Sequence, residues 1–344
     1  MEATSKLDNI DSWLADQWIR TYGKETTEKI VEAAMCQSPI FITINHSHGR
    51  DEEIAATAQQ ERVINKLEIV KDKFTEAVGE DSDEQAEILP IGSIRVPDSV
   101  RGRVSEWPLY ETGAWWVQDL SATLPATALF NSLSANREKR IDQMHVVDLC
   151  SAPGGKAAQL CSMGFGKVDA VEISPRRSRS LHQNLKRLGM ANKCNVVVED
   201  GRKFKPGTLA GTSYVDGVLV DAPCSATGVI SRRPDVLRKS IELEELVSMQ
   251  RELLSHAANN ILEVGGVLVY ATCSLLKQEG EDQIANLLME SFSTLEVVPF
   301  THGEIPGFDD CIDKNGWLRV IPGVLPGSLQ FCDGFFVARL RKMA

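Results

Sequence analysis

The sequence predicts an α/β protein in which a small α+β region precedes a doubly wound α/β domain. From about residue 144 onward, short apolar, β-branched runs alternate with helical stretches, the pattern of parallel strands covered on both faces. Before residue 100 the pattern differs, with two short amphipathic helices, one β-rich run and a polar helix. Composition supports both parts. A chain of 344 residues, 43% hydrophobic and 25% charged, can bury one large core and a smaller one, which excludes collagen-like, low-complexity and disordered classes.

The first helices are expected over residues 10–22 and 25–35, with Trp13, Leu14, Ile19, Ile30 and Val31 on their apolar faces. PIFITIN at 39–45 reads as a strand and 52–66 as a polar helix. The charge run GEDSDEQAE at 79–87 holds little that can be buried and reads as a solvated loop. In the second part, strands are expected at 144–150, 167–173, 194–200, 215–221 and 266–273. Helices are expected at 175–188, with proline in the first turn, and at 242–262. The tail adds strands at 295–300, 318–322 and 334–341, and no internal repeat is present.

Net charge of -11, from 37 basic and 48 acidic side chains, argues at face value against a nucleic-acid partner. The charge is unevenly spread, however: residues 1–100 carry 20 acidic and 10 basic side chains, so the remainder is nearly neutral. Basic clusters stand there at Arg176, Arg177, Arg179, Lys186 and Arg187, at Arg202, Lys203 and Lys205, at Arg232, Arg233, Arg238 and Lys239, and at Arg339, Arg341 and Lys342. The acidic first part is expected to gather its basic side chains on one face, with the 79–87 loop pointing away. Eight cysteines are too sparse for a disulfide scaffold and include no CxxC pair, so reduced thiols in a reducing compartment are expected. No run approaches the roughly 18 apolar residues of a membrane span, and the polar opening does not read as a signal peptide. A soluble, intracellular monomer is the expectation.

In an open α/β sheet the ligand crevice lies beyond the carboxyl ends of the strands, and these ends carry the chemistry here. After the first strand comes Cys150-Ser151-Ala152-Pro153-Gly154-Gly155-Lys156 and then a helix from Ala157. Adjacent glycines admit close backbone approach and a helix N-terminus favours an anionic group. The spacing is neither G-x-G-x-x-G nor G-x-x-x-x-G-K-[ST], so a cofactor with a carboxylate and no phosphate suits it better. Glu172 ends the second strand, Asp200 the third and Asp221 the fourth. Glu172 can accept from ribose hydroxyls, or act as a capping acid ahead of Ser174 and Pro175.

Cys224, in the DAPCS loop after the fourth strand, and Cys273, in TCS after the fifth, place two thiols at neighbouring strand ends. A thiolate in a crevice near helix N-termini is a nucleophile, whereas Cys36, Cys161, Cys194, Cys311 and Cys332 read as small buried hydrophobes. Zinc is a poor rival, because the histidine couple His46 and His48 lies in the other part, and no metal is expected. Residue chemistry alone does not choose between the two thiols.

DLCSAPGGK, VEIS, VVEDGRKF, DAPCSATGV and YATCS, in this order and at these separations, resemble the RNA 5-methylcytosine methyltransferases of the NOL1/NOP2/Sun family. GAWWVQDLSATLPA, NLKRLGM and DGFFVARL resemble its bacterial RsmB (Sun/Fmu) branch, which methylates small-subunit ribosomal RNA. The resemblance covers most of residues 106–344, and residues 1–105 more faintly resemble the family's RNA-binding subdomain. It implies a Rossmann-like, seven-stranded S-adenosylmethionine-dependent methyltransferase domain over 106–344, whose last hairpin breaks the parallel order, preceded by a small α+β RNA-binding subdomain over 1–105. It further implies that Cys150, Ser151, Ala152, Pro153, Gly154, Gly155 and Lys156 wrap the methionine and ribose of the cofactor. Glu172 would hold the ribose hydroxyls, Asp200 the adenine edge, and Asp221 would lie between cofactor and base. Cys273 matches the nucleophile and Cys224 the cysteine that assists release.

The implied reaction is methyl transfer to C5 of a cytosine in RNA, with small-subunit rRNA as the expected partner. Arg232 and Arg233, just beyond the DAPCS loop, are the expected phosphate contacts. A methyltransferase on tRNA or protein, or a non-catalytic RNA-binding assembly factor, are the alternatives. Ser151 replaces a common alanine of the family and Glu172 a common aspartate. The branch usually carries a NusB-like helical domain upstream, whereas this sequence opens at the subdomain, so that the domain is either absent from the lineage or outside this sequence; this leaves open the rRNA target and the source, a bacterial cytoplasm or an organelle of bacterial ancestry.

Overall fold

A computed structural model of the chain describes residue 7 and residues 10–47, 56–78, 83–135, 139–207, 214–238, 241–290 and 294–344, with 56–63 and 237–238 described by backbone alone. The chain divides into two compact units, one of Met1–Ser38 with Gly207–Ala344 and the other of Pro39–Pro206. The boundary expected at residue 105 coincides with neither edge of these units.

The first unit opens with helices α1 (Ser12–Tyr22) and α2 (Lys24–Met35). Asp11 caps α1 by accepting from the Trp13 N–H at 2.9 Å, satisfying one of the free amides of the first turn. Leu14, Ala15, Trp18, Ile30 and Val31 form one core with Ile230, Val236, Leu275 and Leu276 of the same unit. Trp13, expected on the apolar face, stands exposed, because the helix phase set by Leu14 and Trp18 turns it outward.

In the second unit, β1 (Phe41–Ile44), β2 (Glu87–Ile88), β3 (Ser93–Arg95) and β4 (Trp115–Val117) form an antiparallel sheet in the order β2-β3-β1-β4. Helix α3 (Ala56–Glu76) runs ten residues beyond its expected end. Leu67, Val70 and Phe74 continue a helical apolar face and share a core with Ile42, Ile44, Ile94 and Trp115. Residues 79–82 of the expected acidic loop lie outside the described residues; within its remainder Glu84 accepts from the Ser99 N–H and hydroxyl at 2.9 and 2.8 Å.

Alternation then begins: α4 (Leu120–Ser134), β5 (His145–Leu149), α5 (Gly155–Met163), β6 (Lys167–Val171), α6 (Pro175–Arg187) and β7 (Cys194–Val197). The three strands are parallel and adjacent, with Val146 opposite Val168 and Ala170 opposite Val196. Two arginines of the α6 basic cluster are drawn into the fold. Arg187 stacks on Tyr110 at 3.9 Å and donates to the carbonyls of Tyr110 and Trp115, while Arg177 donates to the Ala152 carbonyl.

The first unit resumes with β8 (Val215–Asp221), α7 (Leu243–His256), β9 (Leu262–Thr272), α8 (Glu281–Glu290), β10 (Leu295–Val297), β11 (Leu318–Val320) and β12 (Phe335–Lys342). β8 and β9 are parallel, and β12 runs antiparallel to β9, so the expected break in strand direction is present. β10 and β11 pair antiparallel with β12. The described α/β strands thus number three in one unit and five in the other, one more than the seven implied by resemblance. The extra strand is the three-residue β11, which takes up the free edge of the first half of β12. Among the described residues, no helix is long and apolar enough to cross a membrane.

Candidate active site

In the second unit, three parallel strands end together. Ser151 N–H donates to the Val171 carbonyl at 2.9 Å and Glu172 N–H to the Val197 carbonyl at 3.0 Å, so the ladder continues just past each strand. The chain then turns sharply, with Cys150 at φ +64° and Gly154 at φ +105°, and opens α5 at Gly155. At Gly154 a side chain is excluded twice, by the left-handed backbone and by Leu181 Cδ1, which would lie 2.4 Å from a Cβ. The hydroxyl of Ser151 donates to Asp148 at 2.7 Å, an additional tie that alanine would lack.

Glu172 is buried. Its carboxylate accepts from Ser174 N–H at 2.9 Å and Ala152 N–H at 3.3 Å, and lies 3.4 Å from Arg177 Nη1. It therefore does what a capping acid does, ahead of the Ser174 cap of α6, while also fastening the Cys150–Lys156 loop. Asp200 is paired bidentately with Arg202, whose hydrogen bonds hold its carboxyl below the ordinary aspartate range. Beside these acids Ile173 and Val198 are exposed, 60% and 52%, two apolar surfaces at the ends of β6 and β7. Neither stands out in the sequence, where both read as apolar residues of the expected strands 167–173 and 194–200; only the fold shows them exposed.

In the first unit, Asp221 ends β8 opposite Ala271 of β9, so Cys224 and Cys273 follow these two positions by three and two residues. Ala222 N–H donates to the Ala271 carbonyl at 3.0 Å and Gly228 N–H to the Cys273 carbonyl at 2.8 Å, closing the two loops on each other. The result is a Cys224–Cys273 Sγ···Sγ distance of 3.5 Å, with both thiols half-buried. The hydrogen bond to Cys273, followed by burial, pushes the Cys224 thiol well above the ordinary cysteine range. Asp221 is half-buried at the rim.

These loops are backed by polar side chains that sequence reasoning did not single out. Arg319, almost wholly covered, donates to the Ser274 carbonyl at 2.6 Å and is paired with Glu281 through contacts of 2.6 and 3.0 Å. Tyr22 of α1 donates to the Leu275 carbonyl at 2.7 Å. Arg232 and Arg233 both have carboxylate partners, Asp333 at 3.2 Å and Asp235 at 3.0 Å. Lys239 and the Arg238 side chain lie outside the described residues. All eight cysteines are free thiols, and among the described residues no group of three or more His, Cys, Asp or Glu is placed to hold a metal ion.

The family described as 16S rRNA methyltransferase RsmB/F matches this chain over residues 137–341. The chain belongs to that family. The matched span includes every residue of both strand-end clusters. Ribosomal RNA small subunit methyltransferase B of Enterobacter sp. (strain 638) is 34% identical over 339 residues, covering 96% of this chain and 66% of that protein, so the chain spans about two thirds of its relative. A solved structure of PH0851 superposes with a TM-score of 0.72 at 26% identity, covering 97% of this chain and 66% of that one. NSun6 from Pyrococcus horikoshii, solved with SFG, has a TM-score of 0.67 at 20% identity, covering 98% of this chain and all of the other, and shows the shared fold. The RsmB/F family membership accords with the order of motifs from DLCSAPGGK to YATCS, which was the basis of the resemblance.

Proposed function

We propose that this RsmB/F-family chain methylates C5 of a cytosine in small-subunit rRNA with S-adenosylmethionine, through a covalent Cys273–C6 intermediate. The observation that carries the reading is the pair of thiols 3.5 Å apart, an arrangement that methylation of an exocyclic amine does not require. The residues of the second unit fit the cofactor: a carboxylate at Glu172 suits ribose hydroxyls, Asp200 suits an adenine amine, and Ile173 and Val198 offer apolar faces to a purine. The SFG bound by NSun6 is an analogue of that cofactor, which supports the same choice. When bound, S-adenosylmethionine supplies an electrophilic sulfonium methyl group.

The chain's own side chains do the rest. Cytosine C5 is a weak nucleophile, so addition of the Cys273 thiolate to C6 generates an electron-rich C5. Asp221 is assigned to the N3 side of the ring, where it steadies the enamine-like adduct. After methylation a base takes the C5 proton, the C5–H electrons form the C5–C6 double bond, and the C6–S bond breaks with its pair going to Cys273. Cys224, which keeps its proton, is suited to hand it to that departing sulfur. The choice of Cys273 as the attacking thiol follows the family resemblance of its YATCS motif. Access to the ring face requires the cytosine to be unstacked. Arg232 and Arg233 are assigned to phosphate on their place just beyond the DAPCS loop. A reducing bacterial cytoplasm suits eight free thiols.

Radiolabelled methyl transfer to ribosomal RNA, with bisulfite sequencing to locate the base, tests the reading. Cys273→Ala should abolish transfer, whereas Cys224→Ala should accumulate an RNA adduct on a denaturing gel. An adduct with Cys273→Ala instead would reverse the two roles.

A further inference from the structure

The spacing of the two thiols is maintained by groups that take no part in the chemistry proposed above. The residue after each cysteine is a serine, and Ser225 Oγ lies 3.1 Å from Ser274 Oγ. Thr227 Oγ1 is 3.2 Å from Ser274 Oγ and accepts from the Leu275 N–H at 2.9 Å, which completes a hydroxyl bridge between the loops. At one end of this bridge stands Glu279. Its carboxylate accepts from the Ser225 N–H at 2.9 Å, from the Ser225 hydroxyl, and from Gln250 Nε2 at 3.0 Å. Gln250 also donates to the Pro223 carbonyl at 2.8 Å, so the residues on both sides of Cys224 are held from one place. Tyr270 fixes the Glu279 backbone by donating to its carbonyl at 2.6 Å.

Glu279, Gln250, Thr227 and Ser274 are all inaccessible to solvent. Among the described residues no lysine or arginine forms an ion pair with Glu279. A buried carboxylate without a cationic partner is costly and is sustained only by hydrogen bonds to donors held in place. All three of these donors come from the Cys224 loop or its support.

We propose that Glu279 is the positioning residue for Cys224: through Ser225 and Gln250 it holds the second thiol against Cys273 and so governs release of the methylated base. This rests on the reading of Cys273 as nucleophile and Cys224 as release residue. A displacement of about 1 Å in a reacting group can cost about 10²-fold in rate. Loss of the clamp should therefore slow release by about 10- to 100-fold while leaving formation of the adduct within about 3-fold.

The test compares Glu279→Gln, Ser225→Ala and Cys224→Ala, each incubated with ribosomal RNA and labelled S-adenosylmethionine and run on a denaturing gel, with urea midpoints to establish folding. The expected result is an adduct band in all three, removed when Cys273→Ala is added, with Ser225→Ala the weakest because its backbone N–H still reaches the carboxylate. A merely structural defect produces no adduct. Should Glu279→Gln fail to fold, Ser225→Ala carries the comparison. If Cys224→Ala accumulates adduct while both other variants release product at the wild-type rate, the role of Glu279 is refuted and the thiol assignments stand. If Cys224→Ala itself gives no adduct, the release role falls and the positioning role falls with it.

Discussion

Replacing Gly228 by alanine probes the contact that brings the two cysteine loops together. A Cβ at this position would lie 2.3 Å from the Gly334 carbonyl oxygen and 2.7 Å from the Cys273 carbonyl oxygen, both backbone atoms that cannot rotate aside. Heavy atoms do not approach a Cβ closer than 3.0 Å, so the Cys224 loop has to retreat by roughly 0.7–1 Å from its neighbours. That retreat also strains the hydrogen bonds from Gly228 N–H to Cys273 and from Gly334 N–H to Gly228, each 2.8 Å long. Overpacking of this kind costs about 1–3 kcal/mol of stability, and a shift near 1 Å costs about 10²-fold in turnover. Radiolabelled methyl transfer, measured beside a urea midpoint, reads both. Gly207→Ala, where a Cβ meets nothing within 4 Å, should change neither quantity. A folded Gly228→Ala protein that turns over at the wild-type rate would refute the idea that loop spacing limits the reaction.

A second prediction concerns pH. Burial raises the Asp169 carboxyl, but hydrogen bonds from His145 at 2.7 Å and Asn195 at 3.0 Å, with Lys167 nearby, outweigh it and hold the pKa below the ordinary aspartate range. A depressed carboxyl contributes stability above its unfolded pKa and loses it as pH falls through the folded value. Asp169→Asn should therefore destabilise at neutral pH, and the gap to wild type should narrow below the ordinary carboxylate range in urea titrations. An equal gap at both pH values would contradict this. Arg232→Ala with Arg233→Ala should weaken RNA binding across sequences and flatten its salt dependence by about two phosphates, measured by filter binding at several salt concentrations. Affinity unchanged at every salt concentration would remove both arginines from the interface.

Strand positions after residue 144 were legible because parallel strands buried on both faces are written as uninterrupted β-branched runs, and 215–221 coincides with β8 end for end. The end of α3 was misjudged because Leu67, Val70 and Phe74 are spaced among charged residues that read as a polar surface. Strands β2 and β3, two and three residues long, carry too little pattern to register. In the candidate site, Cys224, Cys273 and the strand-end acids stood out because each follows a strand directly. Glu279, Gln250 and Arg319 did not, because their significance lies in contacts across 27 to 54 residues of sequence, and a Glu or Gln within a helical stretch looks solvent-facing. Trp18 and Trp13 show the limit of an amphipathic reading: both fit the stripe loosely, and only the partner surface of Ile230 and Leu275 decides which is covered.

That partner surface has a consequence for how the protein is made. The unit holding both thiols is discontinuous: α1 and α2 are synthesised before the intervening unit, and Ile230, Leu275 and Leu276, which cover them, follow roughly 200–260 residues later. At about 5–20 residues per second, the nascent chain exposes Leu14, Trp18, Ile30 and Val31 for about 10–50 s. The contiguous Pro39–Pro206 unit can close during that interval. The apolar faces of α1 and α2 thus stay uncovered by their own unit during much of translation, and the thiol pair assembles only after the intervening unit has been made.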